Sequence, residues 1–503
     1  MKISSIRLFT ENGLVQLAVE NDRCCYEDVL VELSGGSIAV TGIETSLEKL
    51  EIDFENSYFR EALVLCDAFE RGYAEFAWKK ADYTRLMPWY FATNQDGKTF
   101  CFGVKTRPNA ICCWRCDEER ITLIVDIRNG KNALKLNGRR LQACQVVTAA
   151  YEGDAFDALQ DFCRKMCDDP KLLSGPIYGG NDWYCNYGDN SEEKILRHAR
   201  RIVECAPKDG PRPYMVIDDG WQMCARCTGP WYQGNRLFGD MGELAQKIKD
   251  IGAIPGIWIR PLLTLEKVPE SWLLKLERNN FSYMDPSHPQ VLEQVAKDIA
   301  RLRDWGYKLI KHDFTTNDSF FAWGFEMTDD YVSRVEFSDK TKTTAEIIKQ
   351  LYQTIRDAAG NDVAIIGCNT VSHLSAGYFE IQRTGDDTSG VEWERTKNYG
   401  INTLAFRMPQ HNAFYAADAD CVGITRQLSW EINRRWLDVL AKSGTPLFVS
   451  IGDDAYTSEV REDITEAFRK AIAATNVSRP VDWMQTKIPQ VWDSDFGRDH
   501  YEW

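Results

Sequence analysis

Three short apolar runs between residues 214 and 387 end on acidic residues. One run ends on Asp218 and Asp219, another on Asp313, and a third on Asp386 and Asp387. Runs of this length suit a buried parallel strand that delivers its acid to the C-terminal tip, where barrel enzymes carry their chemistry. Two such carboxylates can act as nucleophile and acid in the cleavage of a glycosidic bond. A single strand-end acid could equally cap a helix or accept hydrogen bonds from a loop.

Cationic and aromatic side chains accompany these acids. Burying several carboxylates together is costly unless cations and hydroxyls share them, and Lys311 and Arg383 are the available cations. Trp183, Trp221 and Trp258 are expected at or near the same rim. Acids that accept hydrogen bonds from hydroxyls, beside flat rings that stack on C–H faces, indicate a sugar pocket rather than a phosphate or nucleotide site.

Asp313 and Asp387 are the predicted catalytic pair. Two carboxyls about 5 to 5.5 Å apart suit a retaining double displacement, in which one attacks the anomeric carbon and the other protonates the leaving oxygen. Lys311 lies two residues before Asp313, on the same side of its strand, and is expected to keep it ionised. Asp387 must start protonated, and the charge of Asp313 would raise its pKa. Asp386 is the alternative acid, which strand alternation disfavours unless the chain bends there.

The elements that would position these residues alternate between strand and helix from Pro176 onward. This alternation predicts an α/β fold. We expect a (β/α)8 TIM barrel over residues 173–503, with a short C-terminal tail. Asp240 and Glu243 form a predicted helix start that Gly252 closes. The expected strand ends are Trp183, Asp219, Arg260, Asp313, Asn369, Asp387, Met408 and Ser450.

Residues 1–165 lack helical periodicity and contain short β-rich runs separated by turns, such as the run after Gln95-Asp96-Gly97. This spacing predicts an N-terminal all-β sandwich. A linking helix is expected over Ala155–Cys167, with its connection continuing to about residue 172.

Composition excludes several classes of protein. The 503 residues carry a net charge of −15, which argues against nucleic-acid or anionic-membrane partners. No apolar run approaches 18 residues and no signal sequence opens the chain, so a cytoplasmic location is expected, although a removed leader would look the same.

The 16 cysteines suit reduced thiols. No metal or cofactor is predicted, since the CxxC pairs lie far apart and the six histidines never form His-x-His.

These motifs resemble the retaining α-galactosidases of glycoside hydrolase families 36 and 27, and family 36 more closely. The resemblance covers Asp218-Asp219-Gly220-Trp221, Gly256-Ile257-Trp258, Lys311-x-Asp313 and Arg383-x-x-x-Asp387, with Pro88-Trp89-Tyr90-Phe91 and Gly103-Val104-Lys105-Thr106 in the β domain. It implies a sandwich followed by a catalytic barrel, Asp313 as nucleophile and Asp387 as acid/base. It also implies that Asp218 and Asp219 hold the O4 and O6 hydroxyls of galactose in an oligosaccharide or glycoside.

Two positions depart from the family pattern. Gly367-Cys368-Asn369-Thr370-Val371 stands where the family usually carries a Cys-Ser-Gly-Gly stretch after the fifth strand, and Asn369 is expected to read a 2-hydroxyl or a 2-acetamido group. Arg260 replaces an acid and is expected either to pair with a carboxylate such as Asp219 or to reach the ligand. An α-N-acetylgalactosaminidase, an α-galactosyl transglycosylase and a non-catalytic sugar-binding protein therefore stay open, as does assembly into a homo-oligomer.

Overall fold

A computed structural model describes residues 1–18, 22–224, 227–275, 282–329 and 334–503. The N-terminal part contains two largely antiparallel sheets whose inner faces share one hydrophobic core, in which Phe91 of one sheet meets Trp114 of the other at 5.8 Å. The described strands of the first sheet are Ile3–Thr10, Gly13–Leu17, Ser46–Glu55, Met87–Pro88, Ile111–Cys116, Arg120–Asp126 and Leu134–Lys135. Those of the second are Arg23–Tyr26, Val29–Ser34, Ser37–Thr41, Leu63–Cys66, Lys79–Lys80, Tyr90–Gln95, Lys98–Val104 and Arg140–Glu152.

A tight hairpin shows how local sequence sets the register of the second sheet. Strands Tyr90–Gln95 and Lys98–Val104 pair antiparallel across the predicted turn, with Gln95 opposite Lys98. Asp96 and Gly97 both have positive φ angles, 51° and 76°. A two-residue turn of this kind matches the twist of the flanking strands, which is why Asp-Gly favours it.

The linking helix spans Ala155–Met166, one residue shorter than predicted. Asp154 caps it, since its carboxylate accepts hydrogen bonds from the backbone N–H groups of Phe156 at 2.8 Å and Asp157 at 3.1 Å. Its buried face, which includes Phe162, packs in the sandwich core.

The rest of the described chain forms the barrel. Its strands, in order, are Tyr178–Asn181, Tyr214–Ile217, Ile254–Ile259, Leu309–His312, Ala364–Gly367, Ile381–Arg383, the pair of segments Ala416–Asp418 and Cys421–Ile424, and Leu447–Ile451. All neighbouring pairs are parallel. The first of the paired segments bonds to the sixth strand and the second to the eighth, so the sheet closes through a seventh strand interrupted by two residues.

The predicted seventh strand near Met408 is wrong. Residues Asn402–Arg407 form a helix that continues into the 3-10 turn Met408–Gln410, and the strand begins at Ala416. A short, fully buried apolar run carries no periodicity that separates strand from helix, so this error follows from the burial of the segment. The sixth strand also ends earlier than predicted, at Arg383, and leaves Asp386 and Asp387 in a loop.

Helices cover the outside of the barrel. Asp240 caps Met241–Ile251 through bonds to the N–H groups of Gly242 and Glu243, and Gly252 ends that helix with φ 112°. The described α-helices after the first barrel strand are Trp183–Asn186, Glu192–Cys205, Met241–Ile251, Pro289–Asp304, Thr315–Phe320, Thr344–Ala359, Ser372–Ser375, Trp393–Arg395, Asn402–Arg407, Trp430–Lys442 and Ser458–Ala473.

The C-terminal tail forms a small antiparallel sheet of Arg479–Pro480, Val491–Ser494 and Gly497–His500. Trp483, just after its first strand, contacts Trp78 of the sandwich at 5.4 Å and Phe406 of the barrel at 5.6 Å. The tail therefore packs against both parts of the chain.

Within the described ranges, none of the helices has the length and apolar character needed to cross a membrane. The same residues contain no group of three or more His, Cys, Asp or Glu side chains arranged to hold a metal ion.

Candidate active site

Asp218, at the tip of the second strand, forms a buried ion pair with Lys311 of the fourth strand. The Nζ atom of Lys311 lies 2.7 Å from Oδ2 of Asp218, which also accepts a 2.7 Å hydrogen bond from Nδ2 of Asn181. Burial alone would lower the pKa of Lys311, but the Asp218 carboxylate reverses this effect and holds that pKa above its usual value. Lys311 thus has Asp218 as its ion-pair partner, rather than Asp313 as expected from strand alternation.

Asp219 faces the loop that follows it. Its Oδ1 accepts hydrogen bonds from Nε2 of Gln222 at 2.7 Å and from the backbone N–H of Cys227 at 2.8 Å. Its Oδ2 lies 3.2 Å from the Cys227 thiol, which donates to it. Asp218 and Asp219 are both nearly inaccessible, and each is oriented by several donors.

Asp313 is held by two N–H donors. The indole Nε1 of Trp258 donates to Oδ2 at 3.1 Å, and the backbone N–H of Phe314 donates to Oδ1 at 2.8 Å. Phe314 has a φ angle of 62°, which turns the chain away from the fourth strand immediately after the acid. Donors to both oxygens fix the direction of the carboxylate, as a nucleophile requires.

Asp387 lies in the loop after the sixth strand and is paired with Arg383. Its Oδ1 is 3.1 Å from Nη2 of Arg383 and 4.0 Å from Nη1 of Arg71, and its side chain is 38% exposed. Burial raises the pKa of Asp387, but the charges of Arg383, Arg71 and Lys311 together outweigh burial and bring that pKa to about 2. In this arrangement Asp387 is ionised at neutral pH.

Asp386 is engaged by different cations. Its Oδ1 pairs with Nη2 of Arg71 at 2.8 Å and its Oδ2 with Nη2 of Arg395 at 3.3 Å. Because Asp386 and Asp387 follow the strand rather than belong to it, alternation along an extended strand does not separate them. Both line the same cavity.

Cys368 and Asn369 follow the fifth strand and are fully buried. The Cys368 sulfur accepts a hydrogen bond from Nη1 of Arg383 at 3.3 Å. The Asn369 amide donates to Glu70, and its Oδ1 accepts from the N–H of Asn317 at 3.1 Å. Both polar atoms of the Asn369 side chain are therefore engaged within the protein.

The three tryptophans expected at the rim differ in exposure. Trp221 is fully buried, where its Nε1 donates to the carbonyl of Trp258 at 2.9 Å. Trp258 is also buried, and its N–H donates to Asp313. Trp183 opens the helix after the first strand and is partly exposed, 5.5 Å from the ring of Tyr187. Of these three, Trp183 alone offers part of its ring to solvent.

Arg260 pairs with a carboxylate, which was one of the two expectations, but its partner is Asp318 rather than Asp219. Arg260 forms a bidentate ion pair with Asp318, with Nε at 2.9 Å from Oδ2 and Nη2 at 2.6 Å from Oδ1. Its guanidinium also stacks on the ring of Phe314 at 4.0 Å. Asp318 belongs to the short helix after the fourth strand, a position that no local pattern connects with Arg260.

We expect Arg260→Ala to destabilise the protein by about 3–5 kcal/mol, because it leaves the fully buried Asp318 carboxylate without its cation. Thermal unfolding would measure the loss. Arg461→Ala, which breaks an exposed pair with Glu204, should leave the unfolding midpoint unchanged. An unchanged midpoint in Arg260→Ala would contradict this structural role of Arg260.

Two contributors to the site lie outside the predicted site residues. Asp420, in the interruption of the seventh strand, is buried and pairs with Arg383 at 3.0 Å, while Tyr184 donates to its carboxylate. In the sequence, Asp418-Ala419-Asp420 are acids that either reach the site or are solvated, and no local pattern decides between the two. The second contributor is the sandwich segment 70–73, which lies far away in sequence and carries no motif.

A cavity of about 1110 Å³ opens beside Asp386 and Asp387. Its barrel side includes Phe314, next to Asp313, and Asp387 itself, while its other side comes from residues 66–88 of the sandwich. Tyr73, Trp323, Phe325 and Tyr399 supply aromatic surface. Such a cavity can hold a group larger than one sugar ring next to the acid.

Comparison with known proteins finds similarity to α-galactosidases. No family model matches the chain. The curated α-galactosidase AgaA of Geobacillus stearothermophilus is 26% identical over 138 residues, which is 24% of this chain and 18% of the relative. This match therefore spans less than a fifth of the relative's length.

Solved structures match over the whole chain. The α-galactosidase TtGalA of Thermus thermophilus, in complex with p-nitrophenyl α-D-galactopyranoside, has a TM-score of 0.65 and 16% identity, with 99% of each chain covered. A variant of the GH36 α-galactosidase AgaA with bound 1-deoxygalactonojirimycin has a TM-score of 0.63 and 13% identity, covering 97% of this chain and 78% of that one. These similarities confirm the predicted fold class and the resemblance to the family 36 fold.

Proposed function

We propose that this chain, which shares the fold of these α-galactosidases, is a retaining glycoside hydrolase that removes terminal α-linked galactose or another galacto-configured sugar. One arrangement supports this above all: Asp387 and Phe314, the neighbour of Asp313, line one cavity at the end of the barrel where the fourth and sixth strands finish. Double displacement needs two carboxyls that flank the scissile bond, and the ends of these two strands supply Asp313 and Asp387.

Asp313 performs the first bond change. Its carboxylate attacks the anomeric carbon and forms a glycosyl ester while the bond to the leaving oxygen breaks. The donors from Trp258 and Phe314 hold the carboxylate in one direction, so little reorientation is needed before attack.

Asp387 supplies the proton that the leaving oxygen takes up. In the second half of the reaction it removes a proton from water, and the resulting hydroxide attacks the anomeric carbon and releases Asp313. A carboxylate paired with Arg383 cannot donate a proton, so this role requires that substrate loosen the Arg383 contact. Asp386 stays the alternative acid, since it lines the same cavity.

Asp218 and Asp219 are assigned to the O4 and O6 hydroxyls, as the family resemblance implies. Their orientation by Lys311, Asn181 and Gln222 supports this assignment, because fixed acceptors discriminate between axial and equatorial hydroxyls better than mobile ones. The engagement of Asn369 with Glu70 favours a 2-hydroxyl sugar over a 2-acetamido sugar.

We therefore expect aryl α-galactosides to turn over at least about 100-fold faster than aryl α-glucosides, because the acceptors match an axial O4. A panel of aryl α-galactoside, α-glucoside, α-N-acetylgalactosaminide and acid-substituted galactosides would measure this. Adding free sugar and analysing the products would separate hydrolysis from glycosyl transfer. Comparable rates on galactoside and glucoside would contradict the assignment, and binding without turnover would indicate a non-catalytic protein.

A further inference from the structure

The sandwich segment 70–73 comprises Glu70, Arg71, Gly72 and Tyr73 and lies against the loop after the sixth strand. The N–H of Gly72 donates to the carbonyl of Thr384 at 2.8 Å, and the carbonyl of Gly72 accepts from the N–H of Asp386 at 3.0 Å. A Cβ on Gly72 would lie 2.2 Å from a ring carbon of Phe76. Glycine at position 72 thus leaves room for the Phe76 ring, while its backbone ties the sandwich directly to the chain that carries the acids.

Glu70 anchors the same segment to two other loops of the barrel. Its Oε1 accepts from the N–H of Gly324 at 2.9 Å and from the hydroxyl of Tyr73, and its Oε2 accepts from the amide of Asn369. The side chain is fully buried. The segment is therefore held at the ends of the fourth, fifth and sixth strands at once.

Arg71 projects from this anchored segment to the two neighbouring acids. Its Nη2 is 2.8 Å from Oδ1 of Asp386 and its Nη1 is 4.0 Å from Oδ1 of Asp387. The Nε donates to the hydroxyl of Tyr73 at 3.2 Å, and the guanidinium lies 5.4 Å from the ring of Trp323. With a side chain only 8% exposed, it is held in one orientation.

We propose that Arg71 is a positioning residue of the catalytic centre, which holds Asp386 and Asp387 in place and controls the pH at which Asp387 gives up its proton. This inference rests on the proposed function. It means that the sandwich contributes a charged group to the barrel's chemistry from within the same chain.

The effect of Arg71 on Asp387 can be measured separately from the effects of the other charges around that acid. Arg383 is shared with Asp420, so changing Arg383 would unpair a second buried acid. Arg71 has Asp386 as its close partner, which retains Arg395. The charged or titratable groups that act on Asp387 or border it are Arg71, Tyr184, Tyr187, Lys311, Arg383, Asp386 and Arg395.

The test compares Arg71→Gln, which keeps a donor for Asp386 without the charge, with Arg71→Lys, which keeps the charge. A cation near a carboxylate lowers its pKa, so its loss raises the pKa of Asp387 and keeps the acid protonated to higher pH. The alkaline limb of kcat on an α-galactosyl oligosaccharide, whose leaving oxygen needs the proton, should move up by about 1 pH unit in Arg71→Gln, with turnover reduced about 10-fold. Arg71→Lys should return the limb to its original position.

Arg139→Gln is the matched control. Arg139 also belongs to the sandwich and pairs with a barrel carboxylate, Glu346 at 2.7 Å, outside the cavity residues. Its pH profile should match that of the unchanged protein. If Arg71→Gln loses turnover with an unmoved limb, or Arg71→Lys fails to restore the limb, Arg71 has only a structural role. Absence of turnover by the unchanged protein would instead contradict the proposed function.

Discussion

Replacing Asp313 with asparagine should reduce turnover by about 10⁴-fold or more, on aryl α-galactosides and oligosaccharides alike. The amide keeps the shape of the side chain and can still occupy the position between Trp258 and Phe314. It cannot form the glycosyl ester, and no improvement in the leaving group compensates for a missing nucleophile. Steady-state rates on substrates with good and poor leaving groups would measure the loss.

Asp453→Asn is a suitable control for this change. Asp453 follows the eighth strand and pairs with Arg197 at 2.6 Å, with a side chain that is 57% exposed. Its substitution should leave turnover unchanged. Near-native rates in Asp313→Asn would overturn the assignment of the nucleophile.

In Asp387→Asn, the loss of turnover should depend on the leaving group of the substrate. Oligosaccharides need a proton on the departing oxygen and should lose about 10²–10⁴-fold, whereas activated aryl galactosides should lose far less in the first step. A plot of the rate of that step against leaving-group pKa should therefore be steeper than for the unchanged protein.

Azide gives an independent measure of which acid has which role. It should react with the glycosyl ester in Asp387→Gly to yield an α-linked azide, and directly with substrate in Asp313→Gly to yield a β-linked one. The matched comparison is Asp386→Gly, since Asp386 lines the same cavity. If Asp386 variants show the leaving-group dependence and Asp387 variants do not, the acid is Asp386.

The ends of the second and fourth strands and the helix caps were predictable because their causes are local. The acids Asp218 and Asp313 follow apolar runs that became the second and fourth strands, and both strands end within two residues of the predicted point. Asp240 and Gly252 bound a helix through contacts within their own neighbourhoods. The motif Asp96-Gly97 produced the predicted turn for the same reason.

The sequence by itself thus determined the class of fold and the acids at the strand tips, through periodicity, capping and turn chemistry that act over a few residues. Only the tertiary structure decided the partners of the cations: Lys311 with Asp218, Arg260 with Asp318, and Arg71 with Asp386. It also decided that the seventh strand lies after Met408 and that a sandwich segment borders the acids. Ion pairs and cavity walls depend on which distant segments the closed barrel brings within a few ångströms, and no local pattern encodes that distance.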